Sequence, residues 1–267
     1  MPSININNHE MYYEIHGEGD PAVCMGGWGT FCHGNEGLLA RGLTDKYQVL
    51  VFDYRGIRDS SDDSSIEPSM KMHADDLSGL LDHLEWNNVH LIGLVGMGCC
   101  VAQEIAINRP DLVRSMVNMG AWAYCDTYLY DQLKLFRDVH RDSGFLTFQE
   151  KVSIYSFLPE YYNENREKLL GPNAGWKELN GNYETHARLV EACINHDVKD
   201  RLNEISAPTL IIHAGKDLVT GPRTTLPIEE GIPNAEGVMM EEVAHVVAGK
   251  EQKIEFCEIL FEFLDRN

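Results

Sequence analysis

The stretch from Val89 to Glu104 constrains the fold most. Val89-His90-Leu91-Ile92-Gly93-Leu94 is a short apolar run, Val95-Gly96-Met97-Gly98 is rich in glycine, and Met97–Asn108 reads as a helix ended by Arg109-Pro110. A strand that passes through a tight turn directly into a helix is half of a βαβ unit, so its strand belongs to a parallel sheet covered on both faces. Its neighbours agree. Glu10–His16 alternates polar and apolar residues, Ala22–Met25 is short and apolar, Tyr47–Tyr54 has an apolar centre, and Val113–Met119 gives a further strand. Met70–Leu84 places Met72, Leu77, Leu80, Leu81 and Leu84 at helical spacing. Between Trp122 and Ile205 the strand signal stops, and the text is helical or loop-like, broken at Ser143-Gly144, Pro159 and Gly171-Pro172. Strands return at Thr209–His213 and Gly237–Met240, and Ile254–Leu264 closes the chain as an amphipathic helix. The expected class is therefore α/β, a mostly parallel, doubly wound sheet. Residues 1–121 and 206–267 form its core, and a helical cap, 122–205, is inserted after the sixth core strand. Such a block would roof the carboxyl ends of the strands, where sheets of this kind bind ligands.

Composition narrows the function classes. With 267 residues, 43% of them hydrophobic and 24% charged, the chain suits one large domain or a domain with an insertion. No apolar run approaches the roughly 18 residues of a membrane helix, and Met-Pro-Ser-Ile-Asn-Ile lacks the basic and apolar regions of a signal peptide. Seven cysteines without a C-x-x-C pair argue against a disulfide framework and for a reduced, cytoplasmic protein. A formal charge of −20 disfavours nucleic acid and anionic membranes as partners, leaving a small-molecule substrate. Metal-ligand spacing, the P-loop and the dinucleotide fingerprint are all missing from the sequence, so no cofactor is expected.

The turn at 95–98 has the form that, as G-x-S-x-G, holds a nucleophilic serine on a strained strand-to-helix bend. Counting back from Ala102-Gln103-Glu104 puts the nucleophile position at Gly96. A glycine forms no acyl-enzyme, so any chemistry must use water or the substrate's own groups. Three further features fit this turn. Met25-Gly26-Gly27-Trp28-Gly29-Thr30 follows the second strand, and its small residues let backbone N–H groups face a cleft. Trp28 would supply one oxyanion donor and Met97 the other. Pro208–Thr220 is a strand leading to a loop carboxylate, Asp217. Glu242–Val247 then places His245 in a small-residue loop before the last helix.

The order elbow, acid, histidine resembles the α/β-hydrolase superfamily over nearly the whole chain, roughly Met11 to Leu264. Phe52-Asp53-Tyr54-Arg55-Gly56 and Ala102-Gln103-Glu104 look like signatures of that superfamily. Gly120-Ala121-Trp122, Phe136-Arg137, Ser143-Gly144 and Phe157-Leu158-Pro159 resemble its enol-lactonase-like branch, which contains the aminoacrylate hydrolases of pyrimidine degradation. Members of that branch can likewise lack the elbow serine. This chain departs from them in its elbow glycine, in Met25-Gly26 where many relatives have His-Gly, and in one extra residue between Gly93 and the elbow. The resemblance also implies a rival acid, Asp126, because some relatives carry their carboxylate just past that strand. Lid helices of this fold often mediate dimers, which makes a homodimer a possible assembly.

Each candidate has a plainer role to beat. A histidine after a sheet-end carboxylate is more often a base than a surface loop residue, so His245 is assigned the base and Asp217 its orienting partner. Asp217 could otherwise be a turn or helix-capping residue. Cys99 and Cys100 fall inside a helix and read as inert buried thiols. Gly27, His33, Trp122, Phe157 and Tyr161 are pocket candidates, with core packing equally open for the aromatic rings and a solvated loop for His33. His213 reads as structural.

Together these features predict a cofactor-free hydrolase of a small activated substrate, such as an enamine, enol-lactone or β-dicarbonyl. His245 would take a proton from a water standing in the gap left at Gly96. The alternatives are a base catalyst without hydrolysis (a lyase, decarboxylase or cofactorless oxygenase) and a silent ligand-binding relative. A fourth alternative, a parent chain bearing serine at 96, is not excluded by the sequence.

Overall fold

The computed structural model describes residues 3–267; Met1 and Pro2, part of the expected core segment, lie outside the described residues. Eight strands form one sheet in the order β1-β2-β4-β3-β5-β6-β7-β8. They are β1 (Ser3–Ile6), β2 (His9–His16), β3 (Asp20–Met25), β4 (Tyr47–Phe52), β5 (Val89–Leu94), β6 (Val113–Met119), β7 (Thr209–Ala214) and β8 (Ala235–Met240). β1–β2 and β2–β4 pair antiparallel and every other pair is parallel. The central strands β5 and β7 are buried almost throughout, as near-continuous apolar runs require.

β1 has no counterpart among the strands expected from sequence. It joins β2 through Asn7-Asn8, both at positive φ (49° and 63°), the geometry of a tight hairpin turn that asparagine tolerates. Two residues carry only a faint alternating pattern, Ile4 and Ile6, so pairing with β2 supplies what the local signal does not.

Helices α1 (Leu43–Lys46), α2 (Met70–His83), α3 (Met97–Asn108), α8 (Gly221–Gly231) and α9 (Lys250–Arg266) belong to the sheet-bearing part of the chain. α8 escaped the sequence reading because Pro227 lies inside it. Its start, Gly221-Pro222, is the position where proline's fixed φ and missing N–H do least harm. Between β6 and β7 stand α4 (Thr127–Ser143), α5 (Phe145–Ser156), α6 (Pro159–Leu169) and α7 (Tyr183–Ile194), with no strand among the described residues. A buried aromatic cluster holds this block to the sheet. Trp28 meets Phe136 edge-on at 6.3 Å and His186 at 4.8 Å between ring centroids. No described helix is long and apolar enough to cross a membrane.

Beside the site, β2, β4 and the loop after β3 are locked by buried polar groups. Asp53, at the end of β4 and fully buried, accepts hydrogen bonds from Thr30 Oγ1 at 2.5 Å and from His33 Nε2 at 2.6 Å. Arg55 forms a bidentate, buried pair with Asp76 at 2.6 and 2.8 Å.

Candidate active site

The turn after β5 departs from a G-x-S-x-G bend, whose two glycines stand four steps apart. Gly93 and Gly98 are its two close-contact residues: a β-carbon on Gly93 would fall 2.7 Å from the Cys99 Cα, and one on Gly98 would fall 2.4 Å from the Met25 carbonyl oxygen. Five steps separate them, and two successive residues between them, Val95 (φ +48°) and Gly96 (φ +89°), take up the bend. A β-branched residue in the left-handed region is strained by about 1–3 kcal/mol, and such strain gathers where surrounding structure over-determines a turn. Val95 thus shares the tip of the elbow with Gly96. The extra residue was legible in sequence; the position that would absorb it was not.

Gly96 is the N-cap of α3, and the space into which a side chain there would project is occupied. A β-carbon there would fall 2.8 Å from Cζ3 and 3.2 Å from Cη2 of the buried Trp122 indole. The expected water-sized space is therefore filled by a ring. A parent chain with serine at 96 would have to move that ring, which conflicts with this packing. Trp122 reaches the elbow from just past β6, a contact between segments distant in sequence.

The loops after β7 and β8 bring the acid and the histidine together. They are tied by backbone bonds from Gly215 N to Met240 O and from Lys216 N to Val243 O, both 2.9 Å. His245 Nδ1 lies 2.9 Å from Asp217 Oδ2, which makes Nδ1 the donor and leaves Nε2 as the free lone pair. Nε2 has no protein partner among the described residues, and His245 lines the cavity described below. Asp217 is saturated: Oδ1 accepts from the Val219 and Thr220 amides at 2.7 and 3.0 Å, and Oδ2 also accepts from Thr220 Oγ1 at 2.7 Å. Burial alone would push this carboxyl up. The His245 charge and the hydrogen bonds from His245 and Thr220 outweigh it, holding Asp217 well below the usual carboxylate range. Thr220 was absent from the sequence reading, since nothing in the pattern marks its hydroxyl. On the other side, Gly120 (φ +74°) lets the imidazole lie against the end of β6, where a β-carbon would come within 3.2 Å of Cε1.

The glycine-rich loop after β3 meets the elbow. A β-carbon on Gly27 would sit 2.9 Å from the Val95 carbonyl oxygen, so the two backbones touch. Among the described residues neither the Trp28 nor the Met97 amide donates to a protein acceptor. Met97 opens α3, where a helix presents unsatisfied N–H groups and partial positive charge. The Trp28 side chain, by contrast, is buried among the aromatic rings of α4, α5 and α7.

A cleft of about 1120 Å³ joins these parts, lined by Gly27, Trp28, Gly96, Met97, Trp122, Phe157, Tyr161 and His245 among others. Phe157 and Tyr161 stack on one another at 5.6 Å. Two candidates fall outside it. His33 is turned away, bonded to Asp53 and stacked on Tyr12 at 4.5 Å, because its N–H finds a buried carboxylate. Asp126 caps α4 through the Leu129 amide at 2.8 Å and pairs with Arg223; it does not reach His245, whose carboxylate is Asp217. Cys99 Sγ points to the Gly93 and Met119 carbonyls, and burial pushes its thiol up to about 12. Burial likewise raises Cys100 far above its ordinary value. His213 is spent on Thr225 and Glu229 at 2.7 Å each.

The alpha/beta hydrolase fold family matches residues 15–251, and the chain belongs to it. It is 26% identical over 266 residues to a putative carbamate hydrolase, RutD, of Azorhizobium caulinodans, covering 98% of each chain. A putative carbamate hydrolase of the same name from Stutzerimonas stutzeri is also 26% identical, over 95% of this chain and 96% of its own. Among solved structures, an alpha/beta hydrolase from a Medee basin deep-sea metagenome library superposes with a TM-score of 0.87 at 22% identity, covering 100% of this chain and 98% of the other. The enol-lactonase of Burkholderia xenovorans gives 0.82 at 20% identity, covering 99% of this chain and 100% of the other. The fold is theirs, and family and relatives together support a hydrolase.

Proposed function

We propose that this chain is a cofactor-free hydrolase whose His245–Asp217 dyad activates water against a small-molecule substrate with an activated carbonyl or iminium carbon. The 2.9 Å contact that fixes the His245 tautomer, with Nε2 unpartnered among the described residues, carries this reading. Nε2 takes a proton as the water oxygen bonds to the carbon. In a carbonyl substrate the electron pair moves to oxygen, where the Trp28 and Met97 amides donate to the oxyanion; in an iminium it moves to nitrogen and neutralises it. Collapse of the tetrahedral species expels the leaving group, and the imidazolium returns the proton to it. General-base assistance is worth roughly 10²–10⁴-fold, and each oxyanion donor about 3 kcal/mol of barrier. That suffices for an enamine, enol-lactone or β-dicarbonyl, not for a stable amide. With the space over Gly96 filled by Trp122, the water stands between Nε2 and the amides, beside Val95. Relatives named as putative carbamate hydrolases and a neighbour named as an enol-lactonase support hydrolysis at a carbonyl carbon.

The filled elbow also favours a second reading, in which Nε2 deprotonates the substrate itself. Turnover in ¹⁸O-labelled water separates the two. Label in the new carbonyl or carboxyl oxygen supports hydrolysis; unlabelled product with proton exchange sinks it. A covalent adduct trapped on any residue would overturn both.

A further inference from the structure

The same cavity carries information about substrate size that neither the dyad nor the relatives' names supply. Carbamate is not much larger than a water molecule or two, each with a share of liquid volume of about 30 Å³. The cleft holds about 1120 Å³. It also spans both cores of the molecule. Trp122 and Phe136 belong to the cluster shared with α4, α5 and α7, and Phe256 belongs to the cluster under α9.

Its lining is divided by polarity. Helices α4, α5 and α6 and the junction at Phe157 contribute side chains such as Leu133, Phe136, Val152 and Tyr161, none of them charged. The charged lining residues, Glu36, Arg41, Lys177, Glu178 and Lys253, all come from the segments at 36–41 and 177–178 and from α9. A small polar substrate would leave the apolar end in contact with water and gain nothing from those rings. Apolar surface removed from water supplies most of the affinity in pockets of this kind.

Resting on the reading of His245 and the two amides as the reacting centre, we propose that the substrate is an elongated, mostly apolar molecule on the order of 15–30 non-hydrogen atoms. Its ring-bearing or alkyl body lies under α4–α6, and its polar end faces the α9 side. The reacting carbon sits between them, where the elbow, the glycine-rich loop and His245 meet.

Calorimetric titration of the intact chain tests this with one head group and a growing body: acetate, hexanoate, 4-phenylbutyrate and 2-naphthoate. Affinity is expected to climb at least ~10²-fold from acetate to 2-naphthoate. Val152→Trp, which fills the lid end, should erase that gain, and Phe157→Ala should cut it about tenfold; circular dichroism checks that both fold. A flat series, or a gain that survives both variants, overturns the proposal. The affinity series on the wild-type chain is read without turnover, so it stands or falls on Val152→Trp and Phe157→Ala even if the dyad turns nothing over. Conversely, a flat series alongside His245-dependent turnover of a short substrate removes this inference alone.

Discussion

The edge of the Trp122 indole occupies the space that a side chain at position 96 would need, with Cζ3 2.8 Å from where that β-carbon would lie. Gly96 is therefore required by packing, whatever the chemistry. Its φ of +89° adds a second penalty for any larger residue.

Gly96→Ala should accordingly destabilise the fold by about 1–3 kcal/mol, through overpacking and backbone strain. Chemical denaturation reads this directly. Gly96→Ser should be destabilised similarly and gain no covalent intermediate. Wild-type stability for the alanine variant would show that the ring yields freely.

His245→Ala should abolish turnover. Asp217→Asn should lower kcat by roughly 10²–10⁴-fold with little change in KM, since an amide in place of Asp217 destabilises the imidazolium and disfavours its working tautomer. Equal activity in both variants and wild type would remove the dyad from the mechanism.

Asp53 holds the glycine-rich loop by two of the loop's own side chains, Thr30 and His33. Asp53→Asn turns an all-acceptor group into one that also presents donors to them. We expect a loss of about 1–3 kcal/mol in stability and a fall in kcat as the Trp28 amide is released from its position. Faster hydrogen exchange at residues 27–33 is the accompanying signature. Unchanged exchange there would separate Asp53 from the loop.

Burial lowers the pKa of His9, His73, His90, His140 and His186, and of these His73, His90 and His186 most. Burial holds His73 and His90 down at about 4, and burial with the neighbouring His140 and Arg137 holds His186 at about 3. In the unfolded chain each titrates near 6.5, so between about pH 6.5 and 4 the unfolded state binds more protons. Their contribution is complete above about pH 6.5 and is lost as pH falls toward 4, at up to ~1.4 kcal/mol per pH unit for each group. Urea midpoints should drop between pH 7.5 and pH 5, and His73→Phe should flatten the slope. A midpoint independent of pH across that range contradicts the burial assignment.

Where the local text repeats a physical rule, it read through to the fold. β5 and α3 follow from one apolar run and one glycine turn, and the bounds of α3, Met97–Asn108, match the helix expected from sequence. α8 did not, because Pro227 breaks the local rule while the helix is held from outside by β7 and β8. His33 and Asp126 show the other failure. Each has the right chemistry in the right segment, and each spends its polar atoms on a nearer partner, Asp53 or Arg223.

Sequence by itself determined the class of sheet, the helical insertion, and the order in which elbow, carboxylate and histidine occur, since these depend on periodicity and spacing along the chain. Only the tertiary structure decided that Thr220 completes the carboxylate, that Val95 shares the bend, and that an indole from beyond β6 closes the nucleophile's place. Those outcomes depend on which atoms compete for one volume, and residues far apart in the chain settle that competition only once the sheet has brought them together.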